Sequence, residues 1–213
     1  MNLQHPSLDL VAFVEQQILP RYADFDAAHN LVHVNRVIKM SLQLAKATGA
    51  DLDMAYVTAA YHDLGLSGPR AVHHLTGGRI LQNDARLRRW FSPEQVKIMR
   101  EAVEDHRASA SHAPRSIYGR IVAEADRDLD PDTVLRRTVL FGRDNYPTLD
   151  KEQHWERFLS HLDNKYSANG YIKLWIHGSE NERNLSSLRH LMEDRQLLRE
   201  KFEQFYRESE RED

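Results

Sequence analysis

The stretch Ala59-Ala60-Tyr61-His62-Asp63-Leu64-Gly65 predicts a helix that ends at an imidazole and a carboxylate on adjacent residues. Consecutive side chains diverge on a regular helix, so the two groups can reach one cation only where the backbone leaves the helix. Gly65 lies where such a helix would end. Residues 54–60 are mostly apolar. We therefore expect a buried helix that ends in a polar, metal-binding pocket; the alternative is that Asp63 only orients His62.

The hydrophobic pattern on both sides of this stretch is helical almost throughout. Capping signals support it: Asp26 or Asn30 before the second helix, Asp51 before the helix that carries His62, and Ser92 and Ser116 before later ones. The sequence therefore predicts an all-α fold with a long C-terminal helix. The predicted helices cover residues 7–24, 30–47, 51–65, 72–81, 92–107, 116–126, 131–145, 149–167 and 179–208, while 170–178 could be helix or strand, and 108–115 is a loop. Pro20 should kink or end the first of these helices.

Glycines inside the fourth predicted helix, at Gly77 and Gly78, indicate close approach of another backbone or of a ligand. At the C-terminus, Ser179 and Glu182 have the spacing of a capping box, and the charged tail at 207–213 is expected to fray. The apolar positions of the last helix are expected to pack against the protein's own core.

Composition limits the function classes. The chain has 213 residues, enough for a single domain over 1–213, and its 29 basic and 32 acidic residues give a net charge of −3. This balance does not favour nucleic acid or membrane binding. There is no cysteine, so metal ligands must be nitrogen or oxygen atoms. The sequence shows neither a signal peptide nor a bilayer-spanning stretch, and we expect a cytoplasmic protein.

Several residues that can bind metals end the predicted helices or flank their apolar faces. Imidazole together with carboxylate suits manganese, iron or zinc and, with more oxygen ligands, magnesium. We found no Walker-type loop, nucleophile elbow or HExxH motif. The candidate ligands are His33, His62, Asp63, His74, His106 and Asp126.

Three segments carry a resemblance to the HD-domain superfamily of metal-dependent phosphohydrolases. They are His29-Asn30-Leu31-Val32-His33-Val34-Asn35-Arg36-Val37, Tyr61-His62-Asp63-Leu64-Gly65 and Ile121-Val122-Ala123-Glu124-Ala125-Asp126-Arg127. The resemblance covers about residues 28–130 and implies an HD-domain-like helical bundle, with additional C-terminal helices over about 131–213. The family's H…HD…D pattern maps onto His33, His62, Asp63 and Asp126.

A second ion would need further ligands, as the resemblance implies for the phosphodiesterase-like branches of the superfamily. We assign His106 and His74 to this role, although His73 competes with His74. Asp63 would then be the bridging carboxylate. The cofactor is one or two divalent metal ions, and the sequence does not distinguish Mn, Fe, Zn, Mg, Ni or Co. Asp126 is preferred to the nearby acidic residues because it directly follows apolar positions.

Hydrolysis of a phosphoester follows from such a site, since a divalent ion lowers the pKa of bound water and neutralises charge on a phosphoryl oxygen. We assign catalytic roles to His62 and Asp63 and name Glu104 as a candidate general acid, with Asp105 as its neighbour. Arginines suit phosphate because of their planar fork. The predicted substrate-binding arginines are Arg36, Arg107 and Arg115, and the histidines assigned to the surface are His5, His112, His154, His161, His177 and His190.

The resulting prediction is a metal-dependent phosphomonoesterase or phosphodiesterase that acts on a small phosphorylated compound, with a nucleotide as the expected substrate. The alternatives are a non-catalytic HD regulatory protein that binds nucleotide or metal, and a di-iron HD oxygenase. We expect a small-molecule partner and neither nucleic acid nor membrane. Residues 149–213 could form a homodimer surface, a lid or further core.

Overall fold

The computed structural model describes residues 5–26, 28–108, 110 and 112–210 and divides the chain into two compact units, Met1–Arg127 and Asp128–Asp213. The described residues are largely helical and contain no β-strand, which confirms the all-α prediction. Residues 170–178 are irregular. The single domain over 1–213 stays a prediction.

The unit Met1–Arg127 is organised around its third helix. Every residue of this helix except Asp53 is buried, because it packs against the second, fifth and sixth helices. The fourth helix packs mainly against the fifth. The helices of this unit are α1 (Leu8–Gln17), α2 (Leu31–Thr48), α3 (Leu52–Tyr61), α4 (His73–Asn83), α5 (Pro93–Asp105) and α6 (Ile117–Ala125).

The predicted capping residues fix where these helices begin. The Asn30 side chain accepts hydrogen bonds from two backbone N–H groups at the start of α2, and Asp51 and Ser116 each accept one at the starts of α3 and α6. Ser92 forms a capping box at the start of α5. These bonds satisfy N–H groups that a helix cannot satisfy itself. The first helix is shorter than the predicted 7–24, since α1 ends at Gln17, and the 3₁₀ turn that follows contains Pro20, where a break is expected.

Two glycines let α4 approach the turn that follows α3. A Cβ atom built on Gly65 would lie 1.9 Å from the backbone oxygen of His73, and one on Gly77 would lie 3.1 Å from the backbone oxygen of His62. No other residue fits at Gly65 without moving α4. The close approach predicted from the paired glycines is thereby confirmed.

The unit Asp128–Asp213 contains four helices among its described residues: α7 (Pro131–Asn145), α8 (Lys151–Tyr166), α9 (Glu180–Glu193) and α10 (Arg195–Ser209). The prediction of one long C-terminal helix over 179–208 is wrong. Asp194 leaves the helical conformation with φ −85° and ψ 91°, and its side chain accepts a hydrogen bond from the backbone N–H of Leu197. Asp194 therefore caps a new helix instead of continuing α9.

The assignment of His154 to the surface is also wrong, since this residue of α8 is only 4% exposed. His161 is partly buried, whereas His5, His112, His177 and His190 are exposed, as predicted. Parts of the predicted loop and of the charged tail, at positions 109, 111 and 211–213, lie outside the described residues. Within the described ranges, no helix combines the length and the apolar character needed to cross a bilayer.

Candidate metal centre

Helix ends bring the candidate ligands together. His62, His106 and Asp126 directly follow α3, α5 and α6, and His33 lies in the first turn of α2. The C-terminal end of a helix carries partial negative charge from its unsatisfied carbonyl groups. Three of the four ligands follow such ends, whereas His33 comes from the N-terminal end of α2, which carries partial positive charge.

The first ligand group consists of His33, His62, Asp63 and Asp126, whose ligand atoms all lie within 4.8 Å of one another. His62 Nε2 lies 3.1 Å from Asp63 Oδ2, and His33 Nε2 lies 3.3 Å from Asp126 Oδ1. The two Nε2 atoms are 3.2 Å apart. The structure thus brings together the four residues that carry the H…HD…D pattern.

The second ligand group consists of Asp63, His73 and His106. Asp63 Oδ1 lies 3.6 Å from the Nε2 atom of each histidine, and these two Nε2 atoms are 3.2 Å apart. Asp63 Oδ2 instead faces His33 and His62. One carboxylate therefore presents a different oxygen to each group, which is the arrangement of a bridging ligand.

Local hydrogen bonds orient three of the imidazoles. In His62, His73 and His106, Nδ1 donates to the backbone oxygen three residues earlier, at 2.7, 2.7 and 2.6 Å. A carbonyl oxygen only accepts, so Nδ1 carries the proton and Nε2 is left to face the site. Such hydrogen bonds from the ring nitrogen that faces away from the site hold histidines in the tautomer that binds metals.

The first group concentrates negative charge where His62 and Asp63 are buried and His33 and Asp126 are partly buried. Burial opposes protonation of His62, but the carboxylates of Asp63 and Asp126 outweigh it and raise the pKa of His62 to about 10. His33 behaves in the same way, and its pKa is also raised. Burial would raise the pKa of both carboxylic acids, yet the neighbouring imidazoles hold their pKa values far below the usual range.

These observations fit a divalent cation. The Nε2 atoms of His73 and His106 lie 3.2 Å apart while both Nδ1 atoms donate elsewhere, so unprotonated Nε2 lone pairs would repel each other and the nearby carboxylate. Positive charge between them, from protons or from a cation, removes this repulsion. Nitrogen and carboxylate ligands suit Mn, Fe, Co, Ni and Zn better than Ca, and the sequence has no thiolate to add.

The structure places His73 beside Asp63, and it places His74 outside both groups. The Nδ1 atom of His74 is buried and lacks a hydrogen-bond partner in the described part of the chain. The spacing along α4 does not make this choice. His73 lies four residues before the buried Gly77, and His74 likewise lies four before the buried Gly78 and seven before the buried Leu81.

Arg36, predicted to bind substrate, contacts the backbone instead. Its guanidinium donates to the carbonyl oxygens of residues 125, 126 and 127, the Asp126 bond being 2.9 Å long. These carbonyls belong to the end of α6, where the helix cannot satisfy them itself. Arg36 therefore holds the turn that carries Asp126.

Arg115 and Glu104 also have protein partners. Arg115 donates at 2.8 Å both to Glu104 and to Asp105, which is buried. Glu104 lies in neither ligand group. Arg107 makes a hydrogen bond of 3.0 Å to the backbone oxygen of Ala71, so its guanidinium lies next to the chain that leads into His73.

The structure has a cavity of about 490 Å³. Two of its lining residues, His74 and Asp105, are the chain neighbours of the ligands His73 and His106. Its volume is in the range of small-molecule sites. The lining includes the carboxylates of Glu104 and Asp105 and the guanidinium of Arg115, which donates to both. The residues around it are His74, Leu75, Glu104, Asp105, His112, Ala113 and Arg115.

Comparison with models of known protein families gives a match to one family. Residues 30–129 match the family model of the HD domain. Among solved structures, the chain is similar to a predicted HD superfamily hydrolase from an uncultured Thermotogales bacterium, with 22% sequence identity and a TM-score of 0.48 over 74% of this chain and 88% of that one. No curated protein matches the chain significantly. The matched region, residues 30–129, contains His33, His62, Asp63 and Asp126 in order and is an HD domain by this match.

Proposed function

We propose that this protein is a metal-dependent phosphohydrolase that cleaves a phosphomonoester or phosphodiester in a small compound, with a nucleotide as the expected substrate. The observation that carries the proposal is the position of Asp63, whose two oxygens face two different sets of histidines within one buried site. Paired sites that share a carboxylate are typical of enzymes that displace one oxygen of a phosphate by another.

The residues of the chain prepare this site before substrate arrives. A divalent ion held here would lower the pKa of a water molecule and neutralise charge on a phosphoryl oxygen. His33, His62 and Asp126 would hold one ion, His73 and His106 a second, and Asp63 would bind both. Arg36 keeps Asp126 in position through the end of α6. The helix-end carbonyls and the bonds to Nδ1 keep the ligands from reorganising during the reaction.

Arg107 is the arginine that we propose for the substrate phosphate. It directly follows His106, and the one side-chain hydrogen bond that it makes to the described residues uses a single nitrogen of its guanidinium, Nη1. Its remaining N–H donors suit a phosphate in the planar manner of arginine. Arg36 and Arg115 are less suitable because several of their donors already bond to carbonyl or carboxylate oxygens. The 490 Å³ cavity would accept the rest of the substrate.

The first experiment is elemental analysis of protein purified without chelator, followed by a screen of phosphorylated compounds with metal-loaded protein. We expect bound divalent metal and release of phosphate or of a phosphate monoester, and both should be lost in His62→Ala and Asp126→Ala. The same donor set also suits iron, so the assay is repeated without dioxygen. Hydrolysis that continues without dioxygen supports the phosphohydrolase, whereas turnover that requires dioxygen would replace it by the oxygenase.

The role of Arg107 is tested by Arg107→Gln, with Arg120→Gln as the matched control because Arg120 is exposed on α6. We expect KM for the phosphorylated substrate to rise about tenfold or more in Arg107→Gln, as for the loss of a charge-assisted contact. The control should leave KM unchanged. Equal kinetics of both variants would remove Arg107 from the substrate site without affecting the assignment of the metal ligands.

A further inference from the structure

Arg115 holds the last turn of α5 with both its backbone and its guanidinium. Its backbone N–H donates to Asp105 Oδ2 at 2.8 Å, and its Nε donates to Asp105 Oδ1 at 3.0 Å. Its Nη2 donates to Asp105 Oδ1 and to Glu104 Oε2, each at 2.8 Å, and to the backbone oxygen of Glu101 at 3.1 Å. One arginine therefore contacts both ends of the turn that closes α5 at Asp105.

Burial of Asp105 makes this contact important for the fold around it. The side chain of Asp105 is only 1% exposed, whereas that of Arg115 is 40% exposed. A buried carboxylate is stable only when hydrogen bonds and an opposite charge replace its lost hydration. Arg115 supplies both, and His112 Nε2 lies farther away, at 3.9 Å from Asp105 Oδ1.

The turn that Arg115 holds also carries a proposed metal ligand, because His106 directly follows Asp105. The chain leaves the helix after His106, so helical backbone supports this residue on one side only. Its Nδ1 donates to the backbone oxygen of Val103, in the same turn, at 2.6 Å. Helix ends fray, and fraying here would displace the ring together with the acceptor that orients it.

The start of α6 packs against the same turn. A Cβ atom built on Gly119 would lie 3.5 Å from the Cβ of Asp105 and 3.5 Å from the Cα of Ala102. Ser116, which caps α6, directly follows Arg115. The bonds between residues 105 and 115 therefore close the loop that begins after His106 and join the end of α5 to the start of α6.

The first ligand group is supported by other contacts. His62 and Asp63 follow α3, His33 lies in α2, and Asp126 is held through Arg36. The hydrogen bonds of Arg115 go to α5 instead. Loss of these bonds should therefore displace His106 in the second ligand group and spare the first group.

We propose that Arg115 is a positioning residue, which acts through Asp105 to hold His106 where the second ligand group can bind an ion. Arg115 thereby determines whether the protein binds one divalent ion or two. This role rests on the paired site of the proposed function, and it assigns the charge of Arg115 to the metal centre rather than to the substrate phosphate.

The test measures binding of Co²⁺ to the chelator-treated full chain. Elemental analysis counts the bound ions, and visible absorption of Co²⁺ reports on their ligands. We expect the natural protein to bind two ions. In Arg115→Gln one ion should bind as before, and the affinity for the other should fall about tenfold or more, as for the loss of an outer hydrogen bond at a metal site.

Arg100→Gln is the matched control, because Arg100 also contacts Glu101 and Glu104 on α5. It should leave both affinities unchanged. Asp105→Asn covers the case in which Arg115→Gln does not fold, since it removes the buried charge, keeps the shape and leaves a partly exposed arginine. It should show the same selective loss of one ion.

Combination with His73→Ala separates the positioning of His106 from a general loss of stability. His73→Ala already removes a ligand of the second group, so Asp105→Asn added to it should weaken metal binding no further. A further loss in the double variant, or equal weakening of both ions in the single variants, would overturn the role of Arg115. Unchanged binding of both ions by folded Arg115→Gln and Asp105→Asn would overturn it as well.

A different result would count against the proposed function itself. If the natural protein binds fewer than two ions, the paired site is absent and the role of Arg115 falls with it. If the natural protein binds two ions and the variants do so equally well, the paired site stands and only the role of Arg115 is wrong.

Discussion

The guanidinium of Arg36 donates a hydrogen bond of 2.9 Å to the backbone oxygen of Asp126, ninety positions later in the chain. The same side chain also bonds to the carbonyls of residues 125 and 127. Since the Asp126 carboxylate faces His33 on α2, the helix that also carries Arg36, this one arginine fixes the distance between a ligand of α2 and a ligand that follows α6.

Replacing Arg36 by methionine should therefore affect the scaffold as well as the metal. Each lost hydrogen bond to a carbonyl costs about 1 kcal/mol, so we expect the free energy of unfolding of chelated protein to fall by about 1–3 kcal/mol. Denaturant unfolding measures this change, with Lys39→Met, an exposed residue of the same helix, as the control. If the variant keeps its stability but binds phosphorylated compounds more weakly, Arg36 binds substrate and does not act through the scaffold.

The choice between the adjacent histidines of α4 can be tested by paired alanine variants. His73→Ala removes a ligand of the second group, so we expect the affinity for one ion to fall by about 10- to 100-fold or more. His74→Ala should retain the metal content of the natural protein because His74 lies in neither group. Elemental analysis after dialysis against limiting metal measures both. Loss of metal in His74→Ala alone would reverse the assignment.

Gly65 is expected to tolerate no side chain. In Gly65→Ala the new methyl group would lie 1.9 Å from the backbone oxygen of His73, so α4 must move and the variant should lose about 1–3 kcal/mol of stability, with weaker metal binding as a second effect. Gly68→Ala is the matched control, because its nearest neighbour is at 3.6 Å. Thermal unfolding of both variants would distinguish them, and equal melting temperatures would contradict the packing described for α4.

Metal binding should release protons near neutral pH. In the metal-free protein the pKa of His62 is raised from 6.5 to about 10, so the ring is protonated at pH 7, whereas a metal ion binds the neutral ring. Apparent affinity should therefore rise with pH by about tenfold per pH unit for each proton released. Calorimetric titrations in two buffers of different ionisation enthalpy measure the number of protons.

The raised pKa of His62 also makes the stability of the metal-free protein depend on pH. A folded-state pKa above the unfolded value of 6.5 stabilises the fold below pH 6.5, and this contribution is lost as the pH rises through about 10. Chelated protein should unfold more easily at pH 10 than at pH 7, and added metal should reduce the difference. Metal affinity and stability that do not depend on pH over this range would contradict the charged state described for His62.

Local signals in the sequence predicted much of the fold. Asn30, Asp51, Ser92 and Ser116 start helices as expected, because a cap depends on residues within one turn. Asp194 is the same kind of signal, and it was missed because the apolar pattern continues through it. Burial of His154 could not be predicted, since polar neighbours in the sequence do not reveal how α8 packs in the folded unit.

The candidate site likewise contains residues that the sequence predicts and residues that it does not. His33, His62, Asp63 and Asp126 come together as the joint pattern indicated. The role of Arg36 could not be derived from the sequence, because its partners are backbone carbonyls that carry no residue identity.

The bonds from Nδ1 of His62, His73 and His106 to carbonyls three residues earlier mean that each ring is aimed by its own short segment. Folding then only has to bring these three segments together. Where the segment of His73 contacts the turn after α3, the backbone of His73 packs against Gly65, which has no side chain. The entropy of orienting these rings is therefore lost when the chain folds rather than when an ion binds. An incoming ion meets a fixed cage, and ions are then discriminated by how well their radius and preferred geometry fit it.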